Sequence, residues 1–197
     1  MLSPDQFHEK FSNDKSFKIP TQKDFPWLNP DKVYSSVLVI IHFPEDIPSI
    51  ILTKRSPNLK NHAGEISFPG GKFSSLDKSI LDTALRETCE EISIAIKKKQ
   101  IIGCLNPTYT YTSKILIYPF VALEEENISN KLKSNSEVEQ IISLPIEKLM
   151  DSLSEDDYHS SKNFKMYKLL VDDYLIWGAT ARILKDLFDK ITNINKC

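Results

Sequence analysis

The chain has 197 residues, 41 % of them hydrophobic, and a formal net charge of -2, which suits one domain with a sizeable core. With no basic stripe and no basic run interleaved with aromatics, that charge argues against nucleic-acid binding as the main role, and no apolar stretch approaches the roughly 20 residues of a membrane span. The start, "MLSPDQFHEKF", lacks a charged and then apolar secretory pattern, and Cys89, Cys104 and Cys197 are irregularly spaced without zinc spacing, so they read as reduced thiols of a cytoplasmic protein.

Residues 1–30 mix charges, prolines and aromatics and predict a short helix and an extended lead-in, packed on a single domain over 31–197. The runs "SSVLVIIHF" (35–43) and "SIILTKR" (49–55), joined by the turn-rich "PEDIP", read as adjacent strands of a buried sheet. "ISFPGGKFSSLDK" (66–78) predicts a short strand and a loop, and 79–92 a helix. "QIIGCLN" (100–106) and "ILIYPFVAL" (115–123) read as strands, with "PTYTYTSK" as the loop between. Residues 124–136 predict a flexible loop and "PIEKLMDSL" (145–153) a short helix. "YKLLVDDYLIWGATARILKDLFDKI" (167–191) reads as a strand followed by a closing helix, whose Ile183, Leu184, Leu187, Phe188 and Ile191 form an apolar stripe. No internal repeat and no linker divides the chain. This order of elements predicts the α/β class, with helices packed on both sides of a mixed β-sheet.

The most informative stretch is "HAGEISFPGGKFSSLDKSILDTALRETCEEISI" (62–94), which sets adjacent glycines directly before an acid-rich helix. Residues three and four apart are neighbours on a helix, so Glu87 and Glu91 share a face with Glu90 beside them. Stacked like charges destabilise a helix slightly, and Arg86 offsets only part of the repulsion. Alone, such a run is an ordinary solvated face. Gly70 and Gly71 change that reading, because they allow a close approach that a side chain would forbid. Magnesium is usually held by one or two carboxylates together with substrate phosphates, which a Glu87/Glu91 pair suits. Ile80, Ala84, Leu85, Thr88 and Ile92 recur at helical spacing and predict the buried face; Ser79, or Asp77 just before it, predicts the cap.

The stretch resembles the signature of the Nudix hydrolases, in which a glycine, five residues, an acid and seven residues precede Arg-Glu, an apolar residue, any residue, Glu-Glu, any residue and Gly. Gly71, Asp77, Arg86-Glu87-Thr88-Cys89-Glu90-Glu91 and Ile92 take these places. Asp77 replaces the usual glutamate, eight residues rather than seven separate it from Arg86, and Ser93 replaces the closing glycine, which predicts a different exit from the helix. Upstream, "LTKRSPNLKNHAGEISFPGG" (52–71) is similar to an additional signature of the coenzyme A pyrophosphatase branch, with Lys60 where arginine is usual; lysine keeps the charge but loses the two-pronged fork. "NSEVEQIISLP" (135–145) and "IWGATARIL" (176–184) also resemble that branch.

This resemblance implies a Nudix-type α/β/α sandwich and a diphosphatase dependent on Mg2+ or Mn2+, cleaving coenzyme A or its thioesters to 3',5'-ADP and 4'-phosphopantetheine. It implies Glu87 and Glu91 as metal ligands, Glu90 as a further ligand or water-orienting group, and the Gly70 carbonyl as an added ligand. Glu137, after a mobile loop, is the candidate general base, and Arg86 orients the glutamates. Lys54, Arg55, Lys60, Phe68 and Gly71 are expected around the substrate. The runs "YTYT" and "YPF" supply aromatics able to stack on adenine, although strand alternation turns half of any strand inward, and Trp177 reads as packing. The alternative within enzymes is a relative that cleaves ADP-ribose, a dinucleotide or another diphosphate. From other classes, the alternatives are a non-catalytic nucleotide sensor and a domain that acts by dimerising with a partner. A monomer or homodimer acting on a small molecule is expected.

Overall fold

The computed structural model describes residues 3–13, 17, 19, 32–111, 113–161 and 165–193. Most of the expected extended lead-in, and Cys197, lie outside the described residues. Helix α1 (Pro4–Asn13) buries Phe7 and Phe11, with Phe17 tilted against Phe11 at 4.5 Å between ring centroids. Strands β1 (Tyr34–His42) and β2 (Ser49–Arg55) pair antiparallel, with Ile41 opposite Ile50. They are followed by β3 (Ile66–Ser67), β4 (Gly70–Lys72) and helix α2 (Ile80–Ile92). Strands β5 (Ile101–Cys104), β6 (Thr108–Tyr109), β7 (Leu116–Glu124) and β8 (Val138–Pro145) come next, then helix α3 (Ile146–Asp151). Strands β9 (Leu153–Glu155), β10 (Tyr167–Val171) and β11 (Tyr174–Trp177) lead into helix α4 (Gly178–Asn193).

Among the described residues, β1 to β8 form one mixed sheet in the order β3-β2-β1-β7-β5, with β4 on β1, β6 on β7 and β8 on β2. β1 and β7 run parallel, from Tyr34 beside Leu116 to His42 beside Glu124, and the other pairs are antiparallel. Alternation along β1 divides the core. Leu38 and Ile40 pack with Ile80, Ala84 and Ile92 of α2 on one face. Val39 and Ile41 pack with α1 and α4 on the other, where Ile183, Leu184, Leu187, Phe188 and Ile191 are all buried. The protein is therefore an α/β/α sandwich around a mixed sheet. No helix among the described residues is long and apolar enough to cross a membrane.

Several features depart from the expected elements, among them two short strands, β4 inside the stretch expected as a loop and β9 where no strand was expected. β8 occupies a stretch for which no strand was expected, and only alternate positions, Val138, Ile142 and Leu144, are buried along it. The expected single strand before α4 is the hairpin β10–β11, turned at Asp172 and Asp173 with Asp172 at φ 51. β6 lies inside the expected 107–114 loop.

Candidate active site

Two glycines fix how closely the loop approaches the acid-rich helix. Gly70 has φ +150, and a Cβ there would stand 2.3 Å from the Ser36 carbonyl oxygen and 2.6 Å from Val37 Cα. Only glycine lets β4 lie so close against β1. A Cβ on Gly71 would stand 2.4 Å from Cδ of Glu87, so the missing side chain is the space the Glu87 carboxylate uses. The loop is tied on both sides. The Leu38 N–H donates to the Pro69 carbonyl (2.9 Å), Ser35 Oγ donates to the Gly71 carbonyl (2.7 Å), and the Gly70 N–H donates to Glu91 Oε2 (3.1 Å).

Glu91 is 5 % exposed. Burial pushes its carboxyl up to about 7; the Gly70 N–H and the charge of Arg55 pull it down, while Glu87 and Glu137 push it further up. Glu87 is raised as well, chiefly by burial and against the pull of Arg86, with Glu90 and Glu137 adding to the rise. Glu87 and Glu91 of α2 thus feel the charge of neighbouring carboxylates, among them Glu137 just before β8. Oxygen donors that are buried and mutually repelling are a fitting set for a hard divalent cation, which would relieve both penalties. In this conformation the carboxylates are shared with Arg86 and the loop. Among the described residues, no group of three or more His, Cys, Asp or Glu side chains is gathered tightly enough to hold a metal ion.

Arg86 is the hub of the outer half of the site. Its Nε donates to Asp77 Oδ1 (2.8 Å) and its Nη2 to Asp77 Oδ2 (3.0 Å), while Nη1 donates to Glu90 Oε2 (3.1 Å) and pairs with Glu87 Oε1 (2.9 Å). Asp77 also accepts from the Ser74 N–H (3.2 Å) and Thr83 Oγ1 (2.8 Å). The Arg86 guanidinium holds the Asp77 carboxyl down at about 2. The helix cap is Ser79, whose Oγ accepts from the Asp82 N–H at 3.2 Å, which frees Asp77 to anchor Arg86.

A family model described as NUDIX domain matches residues 33–169. The chain belongs to the Nudix family. It is 37 % identical over 151 residues to the uncharacterized Nudix hydrolase NudL of Photorhabdus laumondii, covering 73 % of this chain and 78 % of that protein. To NudL of Yersinia pestis it is 34 % identical over 165 residues, covering 80 % and 79 %. Among solved structures it is similar to a MutT/nudix family protein from Enterococcus faecalis, with TM-score 0.58 and 13 % identity over 98 % of this chain and 76 % of that one. It is also similar to the NUDIX domain of Shewanella oneidensis NrtR complexed with ADP ribose, with TM-score 0.51 and 15 % identity over 67 % and 88 %. At these identities the structural likeness is one of fold. The protein is a Nudix hydrolase, a member of a family of diphosphatases that generally use divalent metal ions.

The remaining expected Nudix site residues fall in three groups. Arg55 and Glu137 reach the carboxylates. The Ser56 N–H donates to the Glu137 carbonyl (2.8 Å) and the Asn135 N–H to the Glu91 carbonyl (3.1 Å), which binds the end of β2, the start of β8 and α2 into one unit. Arg55 Nε is buried and has no hydrogen-bond partner among the described residues. Lys54 Nζ pairs with Glu139 at 3.1 Å, and Lys60 lies exposed in the 56–65 loop. Phe68 is the correction. It is 2 % exposed and packs in the larger core cluster, so its ring anchors the loop from below and has no open face for substrate. Trp177, expected as packing, is 40 % exposed and stacks on His159.

The helix exit also differs from expectation. Ser93 adopts φ 59 and ψ 27, the left-handed geometry a closing glycine takes, so the turn is kept and the serine is strained in it. Asp77 as the anchor of Arg86 was missed at the level of sequence, although its place in the motif was the signal.

Proposed function

We propose that this Nudix hydrolase cleaves the diphosphate of coenzyme A or its thioesters, releasing 3',5'-ADP and 4'-phosphopantetheine or its acyl form. One observation carries the reading. The "LTKR" stretch that resembles the coenzyme A branch ends in Arg55, whose buried, unpartnered Nε lies within electrostatic reach of Glu91, where a phosphate would meet it. The oxygens of Glu87 and Glu91, with the Gly70 carbonyl, are the donors for a divalent ion such as Mg2+ or Mn2+, and Glu90 serves as a further ligand or orients water. A bound ion supplies Lewis acidity and neutralises charge on the phosphates.

The chain's own residues do the rest. Glu137 takes a proton from the attacking water as the water oxygen bonds to phosphorus and the bridging P–O bond breaks. Arg86, held by Asp77, keeps Glu87 and Glu90 in place, and Arg55 faces the phosphate charge.

The test is hydrolysis of coenzyme A by wild type and by Glu91→Gln with magnesium or manganese, the products being resolved by chromatography. Release of 3',5'-ADP and 4'-phosphopantetheine by wild type, with the variant nearly inactive, is the expected result. Coenzyme A left intact while ADP-ribose or a dinucleotide is cleaved would overturn the substrate. Metal-independent binding of nucleotides without any turnover would overturn catalysis in favour of a sensor.

A further inference from the structure

At the start of β1 the molecule has a cavity of about 490 Å³, lined by Lys32, Val33, Tyr109, Tyr111 and Lys114 among others. Sheet register places it relative to the diphosphate site. Gly71, Ser36 and Tyr118 form one row across β4, β1 and β7, and Tyr34, Leu116 and Tyr109 form the next across β1, β7 and β6. Side chains in register share a face. Tyr34 and Tyr118 pack on the α2 side of the sheet, so Tyr109 stands on the same side as Glu87. Three strand spacings and one two-residue step separate Gly71 from Tyr109, about 16 Å in all. One extended nucleotide substrate can span that gap with the help of long side chains.

The chemistry of the lining is selective. Two lysines and two tyrosines, 43 % and 64 % exposed, surround the cavity, and no acidic side chain among the described residues lines it. Neither lysine makes an ion pair among the described residues. The turn behind it is held in place: the Thr110 N–H donates to the Ile115 carbonyl (2.9 Å), the Ile115 N–H to Thr110 Oγ1 (2.9 Å), and Thr110 and Ser113 share a hydroxyl contact of 2.6 Å. A second cavity of about 510 Å³ also contains lysines, but Glu124, Glu125 and Glu126 line it too and cancel its charge. Stacking faces combined with uncancelled positive charge suit a base that carries a phosphate.

We propose that this cavity binds the phosphorylated nucleoside end of the substrate, the base stacking on Tyr109 and Tyr111 and the ribose phosphate that is not cleaved pairing with Lys32 and Lys114. The inference rests on the coenzyme A reading, since the 3'-phosphate is the group that needs such a site.

Its test compares coenzyme A with 3'-dephospho-coenzyme A for wild type, Lys32→Ala/Lys114→Ala and Tyr109→Ala/Tyr111→Ala. In the lysine variant KM for coenzyme A rises about tenfold, while kcat and the KM for the dephosphorylated form stay put. The tyrosine variant raises KM for both. A lysine variant that keeps the wild-type preference for coenzyme A would overturn the subsite and leave the diphosphatase reading standing. If wild type cleaves neither compound, the substrate reading fails by itself, and calorimetry with 3',5'-ADP then decides the cavity. Binding by wild type that the lysine variant loses supports it, and absence of binding to wild type overturns it.

Discussion

Helices α2 and α4 lie on opposite faces of one sheet, and both turn an apolar stripe inward, but what they bury differs. α4 buries Ile183, Leu184, Leu187, Phe188 and Ile191, and the polar side chain it buries, Thr180, is satisfied, its Oγ1 donating to the Ile66 carbonyl (3.1 Å). α2 buries Ile80, Ala84 and Ile92, but also Thr88, whose hydroxyl has no hydrogen-bond partner among the described residues, and the carboxyl of Glu91. The buried polar group of α4 is paired, whereas α2 leaves the Thr88 hydroxyl unpaired among the described residues and buries an acid against the glycine loop. Such departures are expected where a fold carries chemistry. Removing a group from α4 therefore costs stability and spares activity, and removing the buried acid from α2 does the reverse.

The largest test of this contrast pairs two substitutions. Glu91→Gln lowers kcat roughly a thousandfold and leaves the melting temperature of the metal-free protein at pH 8 unchanged or higher. Leu187→Ala lowers unfolding free energy by about 3 kcal/mol with kcat unchanged. Thermal melts and steady-state rates on the same preparations check both, and a Glu91→Gln protein that melts as early as Leu187→Ala would break the comparison.

The pH dependence sharpens it. The folded protein holds the Glu91 carboxyl protonated up to about 7, whereas in the unfolded chain it ionises near its ordinary 4.5. Between these values the folded state binds more protons, so the stability of the metal-free protein falls as pH rises through that window, by about 3 kcal/mol. Urea unfolding at intervals from pH 4 to 8 in a chelator shows the decline, Glu91→Gln flattens it, and added magnesium opposes it at the upper end. A flat wild-type profile would remove Glu91 as the strained group.

Smaller effects are expected around the hub. Asp77→Asn loosens Arg86 and lowers kcat about tenfold with little change in KM, as loss of a charge-assisted, two-pronged pair requires. A change confined to KM would instead make Asp77 part of substrate binding. Smallest is Ser93→Gly, which relieves the left-handed residue and raises stability by up to about 1 kcal/mol without touching the rate; chemical denaturation measures it.

Much of this contrast was legible in the sequence. The β-branched runs over β1 and β2, the Ser79 cap, the α4 stripe and the glycine pair before the Glu87 face each have a local cause that can be read without partners. β8 was not legible, because polar Glu139, Gln140 and Ser143 interrupt its inward residues and only pairing with β2 makes the alternation a strand. The β10–β11 turn carried a signal in Asp172-Asp173, overridden by the apolar runs on either side. The parting of Lys54 from Arg55 is a tertiary effect, since both lie at the end of β2 and Glu139 on β8 captures only the first. Phe68 shows the reverse: an aromatic beside the site glycines reads as a wall of the site, and the core that claims it is assembled from strands and helices distant in sequence.

The hydrogen bond from the Gly70 amide to Glu91 has an entropic consequence. It holds one carboxylate oxygen against the loop before any cation arrives, so the loop and the helix are already ordered relative to each other and the entropy of bringing them together is lost during folding rather than during binding. What is left to rearrange lies in the outer half of the site, where Arg86 pairs with Glu87 and Glu90.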